Sequence, residues 1–384
     1  MPATKAKNAI YRLALPFLSP SCAKHPVSSV SGHELICSRH LDRILHRHHV
    51  LGSAVLLSSG TDTSLICTSS LKPRHSAHPG TFFRVASITK TATAILCLHL
   101  AEKHILDLSL PVSNYINYTA SDAVLEKITL FHLLTHTSGL VDPPGLESFL
   151  ENDIPFTTML EDAFCYSPGS SFHYSNLGFG LIGCILESVF SKPVTTVFRE
   201  YLFDPLHMNS TLEGCTLPRE SIMPVTRILP YRRGGDVILT QLGSRPLSAA
   251  DPLRHYGHTA GSMYTDILSL QKMLNILIRN DNHYISQHSV SLMCKEHASY
   301  GNLSPTLSYG LGLLRIKDRR LSDDCIFGHQ GFAYGCADGA FWEKNTGRSM
   351  IMLNGGCSEA RSGRLGLLNR DMLCWAFRKE LPLW

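Results

Sequence analysis

The sequence predicts an α+β fold of three-layer α/β/α type, with an antiparallel sheet built from the N- and C-terminal segments, helices flanking it, and an inserted helical lobe. Three observations predict this. Short strand-like runs lie near both ends of the chain, helical periodicity dominates the long middle, and 384 residues suffice to bury a large core.

The N-terminal elements come first. Residues 40–48 read as a short basic helix. Gly52-Ser-Ala-Val-Leu-Leu-Ser and Ser64-Leu-Ile-Cys-Thr then flank a Gly60-Thr-Asp turn, which is the pattern of a hairpin. Near the other end, residues 309–316, 325–329, 336–342 and 349–354 are short apolar or alternating runs divided by turn residues. Residues 365–381 repeat with the period of a closing helix. Two strand-rich segments this far apart share one sheet only if the chain leaves and returns, so the part between them, from Ser87 to about Arg279, is expected to form the lobe. The expected division is a poorly ordered extension over 1–38 and one domain over 39–384. Within that domain, 39–86 and 300–384 belong to the sheet and 87–299 to the lobe, and a cleft between the two is the expected site.

Composition narrows the function classes. Hydrophobic residues at 44% and charged residues at 17%, with Gly and Pro dispersed along the chain, describe a globular protein rather than a disordered one. A formal charge of +4 is small for this length, and Lys and Arg form no stripe, so no nucleic-acid partner is expected. The twelve cysteines include no C-x-x-C and no zinc-type spacing, so they read as free thiols in a reducing, cytoplasmic compartment. The densest histidine group, His46, His48 and His49, lacks metal-ligand spacing and carboxylate company, and no metal or cofactor is expected. No uninterrupted apolar run reaches membrane-spanning length. The first 33 residues contain no acid but carry Lys5, Lys7, Arg12 and Lys24, which leaves organelle targeting or export as the alternative to a plain N-terminal extension.

Chemistry is concentrated in three short motifs. Thr81-Phe-Phe-Arg-Val-Ala-Ser-Ile-Thr-Lys90 contains S-x-x-K, a spacing that puts Ser87 and Lys90 on one helix face. A serine hydroxyl becomes nucleophilic when a neighbouring base takes its proton, and a desolvated lysine can be that base. A serine at a helix start also has main-chain N–H groups near a developing oxyanion. The same spacing occurs at Ser21/Lys24, Ser69/Lys72 and Ser269/Lys272, but only Ser87 follows an extended run and opens a long apolar helix, over 88–101. The second motif, Tyr174-Ser-Asn176, sits on a turn before an apolar helix over 177–190; Tyr174 can share proton work and Asn176 can orient the lysine and the substrate carbonyl. A decoy exists at Tyr115 and Asn117. The third, Phe327-Gly-His329-Gln-Gly331, puts a polar head and a glycine on a sheet edge where a substrate backbone can lie close, and Phe332 offers a second oxyanion N–H. H-x-G recurs at His78 and His255, so the ordered set of three is what carries the signal.

Taken together, these residues resemble the serine β-lactamase and penicillin-binding-protein superfamily, particularly its class C β-lactamase-like and esterase-like branch. The likeness extends through Ile128-Thr-Leu-Phe-His-Leu-Leu-Thr-His-Thr-Ser-Gly-Leu140, Phe203-Asp-Pro-Leu-His-Met208 and Thr259-Ala-Gly-Ser-Met263, and covers about residues 40 to 380. The resemblance implies that Ser87 is acylated, that Lys90 and Tyr174 move its protons, and that Asn176 positions them. It implies that His329 stands where many relatives have the lysine of K-T-G. A neutral imidazole anchors an anion less well than an ammonium, so the departure leans toward ester substrates. Within His-Thr-Ser-Gly, Thr137-Ser-Gly139 is expected to be a helix C-cap rather than chemistry. The sequons at Asn117, Asn209 and Asn302 carry no separate expectation.

The expected function is cleavage of a small-molecule ester or amide through a Ser87 acyl-enzyme. Acyl transfer to an alcohol or amine is the first alternative, and a non-catalytic ligand-binding or filament-forming scaffold of the same fold is the second. Oligomeric state is left open.

Overall fold

The computed structural model describes residues 28–30, 38–71, 74–116, 123–146, 150, 152–227, 232–233, 246–279, 282–333 and 335–378. Most of the expected N-terminal extension lies outside the described residues.

Strand β1 (Ser28–Val30) and helix α1 (Ser38–Arg47) precede the hairpin of β2 (Ser53–Ser59) and β3 (Asp62–Leu71), to which β4 (Arg74–Ser76) adds. Then come β5 (Phe83–Arg84), α2 (Thr89–Glu102), α3 (Leu130–Leu134), α4 (Asn176–Phe190), β6 (Ser210–Thr211), α5 (His258–Gly261), β7 (Tyr264–Thr265) and α6 (Ile267–Arg279). The C-terminal part returns through β8 (Ala298–Ser299), β9 (Leu307–Tyr309), β10 (Leu314–Ile316), β11 (Ile326–Ala333), β12 (Cys336–Glu343) and β13 (Ser349–Asn354). A small hairpin of β14 (Arg361–Ser362) and β15 (Leu365–Gly366) leads into α7 (Leu367–Phe377).

The main sheet has ten strands in the order β1-β3-β2-β13-β12-β11-β10-β9-β8, with β4 on β3. N- and C-terminal halves meet where β2 pairs antiparallel with β13, Ala54 opposite Leu353 and Leu56 opposite Ile351. Because successive side chains alternate between faces, the two strands feed two cores at once. Val55, Ile66, Phe341, Met350 and Met352 pack against Leu41 and Ile44 of α1 and Leu368, Met372 and Trp375 of α7. Ala54, Leu56, Leu65, Trp342, Ile351 and Leu353 face the opposite way, with Ile95 of α2 and Leu270 and Leu274 of α6. Helices, sheet and helices therefore form the three expected layers. Strands β12 and β13 are buried at every position, which is why their sequences read as continuous apolar runs instead of alternating ones.

Three local expectations change. Residues 309–316 do not make one strand: β9 and β10 are separated by a tight turn in which Gly310 donates to the Leu313 carbonyl at 2.9 Å. Gly312 takes a φ of 63°, and a Cβ there would lie 2.5 Å from that of Ala94, so the turn is pressed onto α2 where only glycine fits. The lobe is not purely helical either. Strands β5, β7 and β6 form a small sheet in that order, pairing Phe83 with Thr265 and Arg84 with Tyr264. Finally, α3 closes with His136 in the left-handed region (φ 57°), ahead of Gly139 (φ 80°). Gly139 serves a close approach instead, since a Cβ there would meet the Tyr166 carbonyl oxygen at 1.9 Å. Among the described residues no single helix is long and apolar enough to cross a membrane.

Candidate active site

The nucleophile candidate sits at an elbow between sheet and helix. Strand β5 ends at Arg84, Val85 donates to the Met263 carbonyl at 3.0 Å, and Ala86 then adopts a φ of 45°. A left-handed alanine costs about 1–2 kcal/mol, which the pairing around it must offset. Ser87 follows within a 3-10 turn, Ala86–Ile88, and α2 begins at Thr89, so Ser87 stands one residue farther from the α-helix than its sequence suggests. Thr89 fastens the elbow from within: its hydroxyl donates to the Ala86 carbonyl at 2.6 Å and accepts from the Met263 N–H at 3.1 Å.

Lys90 is fully buried, and its amine reaches three oxygens. Nζ lies 3.2 Å from Ser87 Oγ, 2.8 Å from Asn176 Oδ1 and 2.7 Å from the Ala260 carbonyl of α5. Burial lowers its pKa to about 7, against the opposing pull of the Asp142 carboxylate. A lysine near that value is partly neutral at physiological pH and can accept the Ser87 proton.

Asp142 was not singled out by sequence, where it is simply part of a Pro-rich connection. In the fold it organises the start of α4. One oxygen accepts from the Ser175 hydroxyl and the Leu177 N–H, both at 2.9 Å, and the other accepts from Asn176 Nδ2 at 2.8 Å. Its negative charge thus faces a helix N-terminus, where free N–H groups favour an anion. Ser175 is the cap, accepting from Gly178 N–H at 2.9 Å.

Tyr174 joins the group. Its phenol hydrogen-bonds Ser87, and burial raises its pKa even though that bond and the charge of Arg361 act the other way. Lys90 Nζ lies 4.9 Å from the centre of its ring. Burial outweighs both the Ser87 bond and the Arg361 charge, and Tyr174 is held in its neutral, donating form. Behind it lies His136, ring centres 4.3 Å apart. Ser175 N–H donates to His136 Nδ1 at 3.1 Å, which leaves the proton of the neutral ring on Nε2. Burial, then the nearby Lys90 and His329, hold His136 well below the usual histidine range.

Strand β11 brings in the third motif with four successive residues doing different things. His329 is 2% exposed and both ring nitrogens are engaged: Nδ1–H donates to the Gln330 carbonyl at 2.7 Å, and Nε2 accepts from the Tyr309 hydroxyl at 3.1 Å. Burial lowers its pKa to about 3, with Lys90 adding to the effect. His329 is thus near the cluster, its ring centre 6.4 Å from that of Tyr174, but it offers a substrate neither charge nor N–H. This corrects its expected role as a direct anchor, and the reason is the Tyr309 hydroxyl that occupies it. Gln330 turns to the opposite face and holds the β14–β15 hairpin, donating to the Arg364 carbonyl at 2.6 Å and accepting from Gly366 N–H at 3.0 Å. Gly331 meets the nucleophile elbow: a Cβ there would lie 2.2 Å from the Val85 carbonyl oxygen and 3.3 Å from Ala86 Cβ. Phe332 lies under Arg361, whose guanidinium carbon is 3.8 Å from the ring centre.

The structure thus gathers Ser87, Lys90, Tyr174 and Asn176 in direct contact, with Gly331 against the elbow and His329 one layer behind. The decoys fall elsewhere. Ser269 is built into α6 and accepts from Asn209 N–H at 2.8 Å. The Tyr115 hydroxyl donates to the Asp107 carbonyl at 2.9 Å, and His255 pairs with the buried Glu187 at 2.8 Å. Ser21, Lys24, Lys72 and Asn117 lie outside the described residues. Asp142, Tyr309 and Arg361 were missed because none stands in a motif, and Gln330 and the Ala260 carbonyl were missed although they lie within quoted stretches, because each acquires its role only through folding.

Comparison with known proteins shows what the chain is similar to. Protein flp of Staphylococcus aureus (strain NCTC 8325 / PS 47) is 28% identical over 185 residues, which are 44% of this chain and 36% of flp. The D-alanyl-D-alanine-carboxypeptidase/endopeptidase AmpH of Escherichia coli (strain K12) is 27% identical over 202 residues, 49% of this chain and 52% of AmpH. The chain therefore aligns with only about a third to a half of the length of these relatives. Among solved structures, EstCE1, a hydrolase with promiscuous acyltransferase activity, superposes with a TM-score of 0.69 at 18% identity, covering 88% of this chain and 98% of its own. The D-amino acid amidase from Ochrobactrum anthropi SV3 gives 0.67 at 22% identity, covering 88% and 95%. The penicillin binding protein from Bacillus halodurans gives 0.67 at 20%, covering 87% and 98%, and these structural likenesses establish the fold. The family model described as Beta-lactamase matches residues 38–353, most of the chain, and the protein belongs to that family.

Proposed function

We propose that this protein is a serine hydrolase that forms an acyl-enzyme on Ser87 and cleaves an ester or amide bond of a small molecule. The observation that carries the reading is the buried Lys90 amine, lowered to about 7 and 3.2 Å from Ser87 Oγ. Neutral Lys90 takes the hydroxyl proton as Oγ attacks the carbonyl carbon. Main-chain N–H groups of Ser87 and Phe332 stabilise the oxyanion. As the bond to the leaving alcohol or amine breaks, Tyr174 gives its proton to the departing atom and recovers one from the Lys90 ammonium. Water then attacks the ester on Ser87, losing its proton to the same pair, and the acid and the free serine are released. Asn176 and Asp142 hold Lys90 in line throughout.

A second reading is acyl transfer, in which an alcohol or amine replaces water in the second half. Its support is the structural likeness to EstCE1, a hydrolase with promiscuous acyltransferase activity. The two differ only in the acceptor, so product analysis of a p-nitrophenyl ester with and without added alcohols separates them.

The test is intact mass after incubation with a fluorophosphonate and with a panel of acyl esters. A covalent increment is expected on the wild type and none on Ser87→Ala. Equal labelling of both, or turnover that persists without Ser87, would overturn the acyl-enzyme reading. No adduct and no turnover on either would leave the non-catalytic scaffold as the better account.

A further inference from the structure

Tyr174 is gripped from both sides by one residue that no step of the reaction uses. His173 N–H donates to the His136 carbonyl at 2.9 Å, and Ser175 N–H donates to His136 Nδ1 at 3.1 Å. The phenol ring between those two amides lies against the same imidazole, with ring centres 4.3 Å apart. His136 is itself fixed. It closes α3, where its N–H donates to the Leu133 carbonyl at 3.2 Å, and it holds a φ of 57° that few side chains adopt without strain. Phe172, Phe179 and Tyr309 also meet its ring, with centres at 5.8, 4.8 and 4.8 Å.

The polarity of this side chain has a single use. His136 is 1% exposed, and among the described residues its Nε2 has no hydrogen-bond partner. An unmatched buried N–H is destabilising, so an apolar side chain would fill the space better if packing were the only task. What an apolar side chain lacks is an acceptor for the N–H of Ser175, which is fully buried at the start of α4. Burial, with Lys90 and His329 nearby, keeps the imidazole neutral, so the Nδ1 lone pair stays available for that bond.

The grip matters for one proton. As Ser87 Oγ bonds to the carbonyl carbon and the bond to the leaving atom breaks, the Tyr174 proton passes to that atom, and the Lys90 ammonium returns one to the phenol. Such a transfer needs donor and acceptor within hydrogen-bond reach. Its benefit is largest where the departing group is a strong base, an alkoxide or an amide nitrogen, and small where it is a stable phenolate.

We propose that His136 is the positioning residue of Tyr174, clamping its main chain through the amides of 173 and 175, and that this clamp extends the site to unactivated alkyl esters and amides. The proposal rests on the acyl-enzyme reading above, in which Tyr174 protonates the leaving group.

The experiment measures kcat/KM for ethyl butyrate and p-nitrophenyl butyrate, which share an acyl group. The proteins are wild type, Tyr174→Phe, His136→Leu, His136→Asn and Tyr174→Phe/His136→Leu. Leucine removes the acceptor, whereas asparagine can place Oδ1 where Nδ1 stands and tolerates the left-handed backbone. His136→Leu should lose about tenfold more on the ethyl ester than on the p-nitrophenyl ester. His136→Asn should restore most of that difference, and the double variant should be no worse on the ethyl ester than Tyr174→Phe alone. A merely structural role lowers both esters equally.

Equal losses on the two esters, a differential loss that asparagine does not relieve, losses that multiply in the double variant, or a wild type that turns over only the p-nitrophenyl ester overturns the proposal. In each case turnover that depends on Ser87 keeps the acyl-enzyme reading standing. Should His136→Leu not fold, His136→Gly takes its place, since glycine suits the φ of 57° and also lacks the acceptor. Should neither ester turn over, hydrogen exchange of the Ser175 amide reads the clamp alone. Faster exchange in the acceptor-less variant that His136→Asn prevents supports the positioning role, and any other pattern refutes it.

Discussion

Asn176 joins Asp142 to Lys90: its Nδ2 donates to the carboxylate at 2.8 Å while its Oδ1 accepts from the amine at 2.8 Å. One amide thus couples the start of α4 to the face of α2 that bears the proton acceptor. Asp142 opposes the lowering of the Lys90 pKa, so Asp142→Ala should let that pKa fall further and move the acid limb of kcat/KM to lower pH. The lost orientation should also reduce the plateau by roughly tenfold or more. A purely structural role for Asp142 would change the plateau without moving the limb, and a limb that moved upward would contradict the assignment.

Lys90 itself sets a pH dependence. Its protonated form has no lone pair to take the Ser87 proton, so kcat/KM for an uncharged ester should rise as pH climbs through about 7, where burial has brought the amine. Lys90→Arg, always protonated, should lose roughly 10²–10⁴-fold. Stopped-flow acylation rates between acid and alkaline pH check this, and a profile flat across neutrality counts against Lys90 as the base.

Gly331→Ala tests whether β11 must touch the elbow. The added methyl would stand 2.2 Å from the Val85 carbonyl oxygen, a main-chain atom that has little freedom to withdraw. The strand or the left-handed Ala86 must shift, and the acylation rate should drop by about a hundredfold, since small misplacements of reacting groups are costly. Circular dichroism should still report a folded protein. Wild-type acylation in a folded Gly331→Ala protein would remove the strand from the catalytic geometry.

A stability prediction comes from β12. Asp338 is fully buried, one oxygen accepting from Asn354 N–H and Nδ2 at 2.9 Å, and burial raises its pKa well above the usual carboxylate range. Its folded pKa exceeds the unfolded one, so the native state holds the proton more tightly. The stability this contributes is complete below the unfolded pKa of 3.8 and is lost as pH rises toward the folded value. Asp338→Asn, uncharged at every pH, should therefore gain on the wild type as pH rises, by up to about 1.4 kcal/mol per pH unit within that window. Urea unfolding at pH 5 and pH 8 measures the difference, and a gap that narrows with pH would reverse the sign.

Much of this site is legible in the sequence because its parts are local. The S-x-x-K spacing needs only a helical turn to bring Lys90 toward Ser87, and the elbow preserves that relation even though the α-helix begins two residues later, at Thr89. Apolar runs at 336–342 and 349–354 mark strands whatever they pack against, and the β2–β3 hairpin follows from its own turn. Where local signals compete with distant ones, sequence reading fails. Gly312 breaks the run at 309–316 because α2 lies against it, and nothing within that run reveals the helix.

What the sequence by itself determined is the type of fold, the three motifs and their order. Tertiary structure alone decided the state of each group in the site. It buried Lys90 deeply enough to bring it to about 7. It set Asp142 against Asn176 from 34 residues away, occupied His329 with Tyr309, and carried Arg361 onto Phe332. The physical reason is that spacing along a helix or strand follows from bonded geometry, which neighbouring residues share. Desolvation, charge and hydrogen-bond partnership depend instead on atoms that meet only when distant segments pack.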